Sequence, residues 1–134
     1  MDDETHVGHE RERVQRVLPL TAAAFSILVA LAGRDKHGYA IMREIADSSG
    51  GTFRLGPGTL YRSIKHLLAA GMIAESGDRP DPALDNERRR YYHLTVFGRQ
   101  VVQAEAERLA RLVRRAGFSG LLTGELRPEI GGVP

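Results

Sequence analysis

Thr59, Arg62, Lys65 and His66 lie three or four residues apart or adjacent, between Gly56 and Gly71, so a helix through them gathers a hydroxyl and three nitrogen donors on one side. Gly58 and Ala69 share that side and leave it uncluttered. Such a face suits close approach to DNA. Arg62 and Lys65 can donate to guanine edges or phosphates, and Thr59, near the helix start, can join backbone N–H groups in holding a phosphate. The same pattern also fits a solvated helix face, so the neighbouring elements decide between the two readings.

The helix itself has marked ends: Pro57 stands where a first helical residue needs no N–H, and Gly71 follows the last apolar residue. Leu60, Ile64, Leu67 and Leu68 form its inner stripe, with Tyr61 on the flank between the two faces. Residues 38–48 predict a second short amphipathic helix through Ile41, Met42 and Ile45, closed by Ser48-Ser49-Gly50-Gly51. Two helices with a glycine-bearing connection make a helix-turn-helix pattern. Residues 72–76 and 90–95 then read as a β-hairpin, the second strand alternating Tyr92 and Leu94 against Tyr91 and His93. A hairpin directly after a recognition helix is a wing. Arg88, Arg89 and Arg90 place cations on both faces of its second strand, within reach of a phosphate or the minor groove. The competing reading is a self-neutralising loop, because Asp78, Asp81, Asp85 and Glu87 stand nearby.

Two further segments point to a second copy of the chain. Residues 21–32 are apolar nearly all round, more than a small subunit can bury alone, and include Phe25 and Leu28. Thr95 predicts the N-cap of a helix to about Ala116, on which Val102, Ala106, Leu109, Val113 and Ala116 form a heptad-like seam. Arg108, Arg111, Arg114 and Arg115 flank that seam together with Glu105 and Glu107, a pattern of surface salt bridges rather than of DNA contact. The expected organisation is a disordered charged arm over 1–17, a winged helix-turn-helix over 18–95, a dimerisation helix over 96–116 and a disordered tail over 117–134. The fold class is mainly α with a small β-hairpin.

Composition narrows the function. With 134 residues, 42% of them hydrophobic, the chain fits one small domain rather than two lobes around a catalytic cleft. No apolar run is long enough for a membrane span, the N-terminus is unlike a signal peptide, and a cytoplasmic location is expected. Zero cysteines exclude disulfides and thiolate metal sites within the chain. The net charge of +2 decides little, since local arginine clusters act over a Debye length of roughly 10 Å. Gly51 and Gly56 have the spacing of a phosphate-binding loop, but Pro57 follows where lysine is needed. His6, His9 and Glu10 fall in the arm, and His37, His66 and His93 are scattered, so no metal, cofactor or catalytic constellation is expected.

Four stretches in order resemble the PadR-like winged-helix transcriptional regulators, in particular the shorter branch with a single C-terminal helix. They are Leu20-Thr21 with the apolar helix, His37-Gly38-Tyr39-Ala40-Ile41, Gly58-Thr59-Leu60-Tyr61-Arg62-Ser63-Ile64 with Gly71-Met72-Ile73, and Arg90-Tyr91-Tyr92-His93-Leu94-Thr95 with Gly98. The resemblance implies a homodimer on a roughly palindromic operator, usually repressing, with the first and last helices at the dimer interface. It also implies a phosphate contact for the Tyr61 hydroxyl and makes Tyr39 a candidate DNA contact; packing is the competing role for both. A small-molecule inducer, where one exists, would act at the hydrophobic interface near Phe25, Leu28 and the last helix. This sequence departs from the pattern in its long acidic wing loop and in having no tryptophan for stacking a drug. The alternative to a repressor is a winged-helix protein-interaction module or a ligand-binding dimer.

Overall fold

The computed structural model describes residues 2–78 and 90–124. In chain order they form α1 (Asp2–Arg16), α2 (Ala22–Gly33), β1 (Lys36–His37), α3 (Gly38–Ser48), α4 (Pro57–Ala69), β2 (Ile73–Asp78), β3 (Arg90–Leu94) and α5 (Val96–Phe118). The three strands make one antiparallel sheet in the order β1-β3-β2, with Lys36 opposite Tyr92 and Ile73 opposite Leu94. This is the predicted mainly helical fold with one addition, the two-residue strand β1.

Helix α2 is the centre of the fold. Thr21 caps it by accepting from the Ala24 amide, and Ala24, Ile27, Leu28, Ala30 and Leu31 are buried against α3, α4, α5 and the sheet. Leu28, predicted for a subunit interface, is fully enclosed in its own chain's core. Val102 is likewise buried there, because α5 turns its first three turns inward before running free. What remains uncovered on α2 is one stripe: Ala22 and Ala32 are exposed, Phe25 is half-buried, and Val29 is 48% exposed.

Residues Asp2–Arg16 of the charged arm, whose last few the sequence allows to join a helix, form α1. Val14 is buried in the core, and the Arg13 guanidinium lies 4.2 Å from the centre of the Phe97 ring, so α1 docks along α5. Helix α5 also extends past the predicted stop: Gly117 lies within it, buried, and the turn that ends it falls at Gly120, where φ is +79°. The rest of the predicted tail, from residue 125, lies outside the described residues.

Candidate nucleic-acid interface

Helix α4 is built as its sequence pattern requires. Leu60, Ile64 and Leu67 are at most 2% exposed, and each such burial contributes about 1.5–3 kcal/mol to holding the helix in place. Pro57 is the first helical residue and Gly71, with φ of +76°, terminates it. Gly58, Thr59, Arg62, Lys65, His66 and Ala69 are all exposed on the opposite side. Arg62 and Lys65 have no ion pair among the described residues. No aspartate or glutamate occurs between Asp47 and Glu75, a span containing Arg54, Arg62 and Lys65, so the field of this face is positive without local compensation. A side chain added at Gly58 would touch nothing nearer than the Arg62 guanidinium at 3.8 Å, so packing within the chain does not demand a glycine there.

The turn that presents α4 is tied by Ser49, whose hydroxyl accepts from the Phe53 amide at 3.0 Å, while Gly50 and Gly51 take positive φ. Helices α3 and α4 also meet directly. At Gly38 a Cβ would sit 2.7 Å from the Tyr61 hydroxyl oxygen, so glycine is needed for the Tyr61 ring to lie over the start of α3. Tyr61 is therefore half-buried and packed against the core, with its hydroxyl beside the residue that precedes Tyr39. Tyr39 is 38% exposed in the first turn of α3, stacked on His37, with the Arg43 guanidinium 6.0 Å from its ring centre. His37 caps α3, its Nδ1 accepting from the Ala40 amide at 3.1 Å.

Of the wing cations, Arg90 is exposed but lies 3.5 Å from Glu75 across the strand pair, the self-neutralising arrangement. Arg88 and Arg89 lie outside the described residues. Arg43 and Arg54, both exposed on the helix-turn-helix, were not among the predicted contacts. Their signals were present: Arg43 follows Tyr39 at helical spacing, and Arg54 opens the acid-free stretch.

The seam on α5 divides. Val102 belongs to the core, whereas Ala106 and Val113 are exposed, Leu109 and Ala116 are half-buried, and Leu112, Phe118 and Leu121 stand out at 51%, 66% and 74% exposure. At its start, α5 is fastened to the end of α4. The Thr95 amide donates to the Met72 carbonyl, the Thr95 hydroxyl donates to the Gly71 carbonyl at 2.6 Å and accepts from the Gly98 amide, and a Cβ on Gly98 would fall 1.8 Å from the Met72 oxygen. Further along, the fully buried Glu105 accepts from the Leu20 amide at 2.8 Å and from Arg108 at 3.0 Å, pinning α5 to the entry of α2. The Arg108 hydrogen bonds hold the Glu105 carboxyl below the usual glutamate range, against the opposing effect of burial and with help from the Leu20 amide.

An exposed, uncompensated helix presented by a helix-turn-helix and followed by a two-stranded wing defines a winged-helix DNA-binding protein. The transcriptional regulator PadR-like family matches residues 27–104, and the chain belongs to that family. The members of this family are transcriptional regulators. RosR of H. salinarum superposes with a TM-score of 0.58 at 28% identity, over 72% of this chain and 80% of that one. A PadR family transcription regulator from Clostridium difficile gives 0.58 at 22% identity, over 76% of this chain and 100% of that one, a likeness of fold. An uncharacterized 37.1 kDa protein in transposon TN4556 of Streptomyces fradiae is 38% identical over 93 residues. The match covers 69% of this chain and 24% of that protein, so the chain spans about a quarter of that relative's length. Among the described residues, no helix is long and apolar enough to cross a membrane.

Proposed function

We propose that the chain is a homodimeric repressor that inserts α4 into the major groove of each half of a roughly palindromic operator. The observation carrying this reading is the exposed face of Thr59, Arg62 and Lys65 in a stretch without acids. Phosphate neutralisation supplies most of the affinity, and Arg62 and Lys65 supply base or phosphate contacts. Tyr39 and Tyr61 border the same face at the junction of α3 and α4, and His66 adds a donor farther along it. The uncovered stripe of Phe25 and Val29 and the outer seam of Leu109 and Val113 support a second copy as partner. An inducer seated between the subunits would change the spacing of the two α4 helices, against half-sites about 34–36 Å apart.

Titration of DNA from upstream of the chain's own gene, followed by fluorescence anisotropy, tests the reading. Arg62→Ala and Lys65→Ala should each weaken binding by about 1–3 kcal/mol if they read bases, or lower the salt slope by up to about one if they hold phosphate. Equal binding to random sequence, with the double variant like wild type, would favour a protein-interaction module instead. Leu109→Glu should leave a monomer by light scattering; a dimer of unchanged stability removes the seam from the interface.

A further inference from the structure

We infer that the chain holds a second binding site, a pocket for a phosphate group at the root of the wing. An open pocket of about 510 Å³ lies where the last turn of α2, the β2–β3 pair and the first turn of α5 meet. Arg34, His93, Arg99 and Ser76 supply its polar lining, and Leu31 and Leu94 an apolar wall. None of these residues belongs to α4.

Three observations select the ligand. First, the donors are free to act. Arg34 is exposed and has no ion pair or hydrogen bond among the described residues, while Arg99 commits one nitrogen to the Ala32 carbonyl at 3.4 Å. A guanidinium has five N–H donors and no acceptor, so both can still donate to the oxygen atoms of a ligand that displaces water. Asp35 also lines the pocket, but it already has a partner. Second, the Ser76 hydroxyl is buried and has no hydrogen-bond partner among the described residues. It sits where the β2–β3 pairing slips between Glu75 and Asp78, and such bulges re-aim side chains next to binding sites. Buried hydroxyls are normally satisfied; this one has almost no accessible surface where it stands, and a change of its χ1 rotamer would bring it to the pocket, where a ligand oxygen would complete it. Third, donors converge from four segments of the chain. A carboxylate offers two oxygens, whereas a phosphate monoester offers three terminal ones, well matched to guanidinium forks. The apolar wall then covers the organic part of the ester.

A free phosphate monoester, with three terminal oxygens, and a DNA phosphodiester, with two, both present anionic phosphate oxygens to the guanidinium forks, and the experiment separates them. The full chain is titrated with inorganic phosphate at constant ionic strength, with chloride as the control ion, and followed by thermal shift and ³¹P line broadening without DNA. Wild type should show saturable binding that chloride does not reproduce. Arg34→Gln and Arg99→Gln should each weaken it by about tenfold and Ser76→Ala by roughly threefold, in line with lost charge-assisted and neutral hydrogen bonds. The two arginines are exposed, so circular dichroism of their variants should match wild type. In a second arm the variants are titrated with DNA. An unchanged salt slope assigns the pocket to a free phosphate ester, and a slope lower by about one assigns it to the DNA backbone. No saturation beyond chloride, or equal binding in every variant, means an adventitious ion only and overturns the site. Because the first arm contains no DNA, its failure leaves the repressor reading untouched.

Discussion

Helices α4 and α5 both carry arginine on their outer faces, yet Arg62 on α4 and Arg108 on α5 are held in opposite ways. On α4, Arg62 and Lys65 stand in a stretch with no acid from Asp47 to Glu75. On α5, Arg108 is bonded to a carboxylate that is itself buried, whereas Arg111, Arg114 and Arg115, expected to bridge to surface acids, are exposed and form no ion pair among the described residues. A cation whose partner is built into the fold contributes to cohesion; a cation left without one contributes field. The number of arginines therefore says less about DNA binding than their distance from the nearest acid.

The contrast can be broken at the joint between the helices. Gly98→Ala drives a methyl group into the Met72 carbonyl, and because the obstacle is backbone the chain has no cheap rearrangement. The expected result is a loss of about 4 kcal/mol or more, seen as failure to fold or a melting midpoint far below wild type. A mild effect would mean that α5 can lift off the end of α4.

Glu105→Gln keeps the shape but removes the charge that Arg108 and the Leu20 amide address. A loss of about 1–3 kcal/mol in urea denaturation is expected. Its pH dependence sharpens the point. Since the folded carboxyl titrates below the usual glutamate range, its contribution is complete above the unfolded value and fades as pH falls through the depressed one. The wild type should therefore lose more stability than Glu105→Gln as the pH is lowered below about 4.3. Parallel acid curves would show that the pairing does not stabilise the fold.

The smallest effect is expected at Arg111, exposed on α5. Arg111→Ala should change stability by no more than about 0.5 kcal/mol and leave the salt slope of DNA binding intact. If it lowered that slope as Arg62→Ala or Lys65→Ala can, the division between the helices would fail.

Much of this architecture was legible because local signals agreed. Pro57 and Gly71 bound α4, Thr95 caps α5, and the inner leucines recur at helical spacing. Features resting on contacts between distant residues were not. Nothing near Glu105 tells that it meets an amide 85 residues away, and Lys36 and His37 become a strand only because Tyr91 and Tyr92 lie beside them. Leu28 and Val102 were misplaced for a related reason: periodicity identifies an apolar face, but not whether the chain's own core or another copy covers it. The charged arm misled through its composition, since α1 needs little apolar surface beyond Val14 and the Arg13–Phe97 contact to dock.

The fastening of Thr95 and Gly98 onto Gly71 and Met72 has a mechanical consequence. The cap of α5 is hydrogen-bonded to Gly71 and Met72, whose own amides donate to the Leu68 and Leu67 carbonyls in the last turn of α4, so the two helices are joined through only those residues. A tilt imposed on α5 must therefore reappear as a swing of α4. Helix α5 is about 35 Å long, so a displacement at its far end acts through a long arm on a pivot at Gly98. Small movements there become changes in aim.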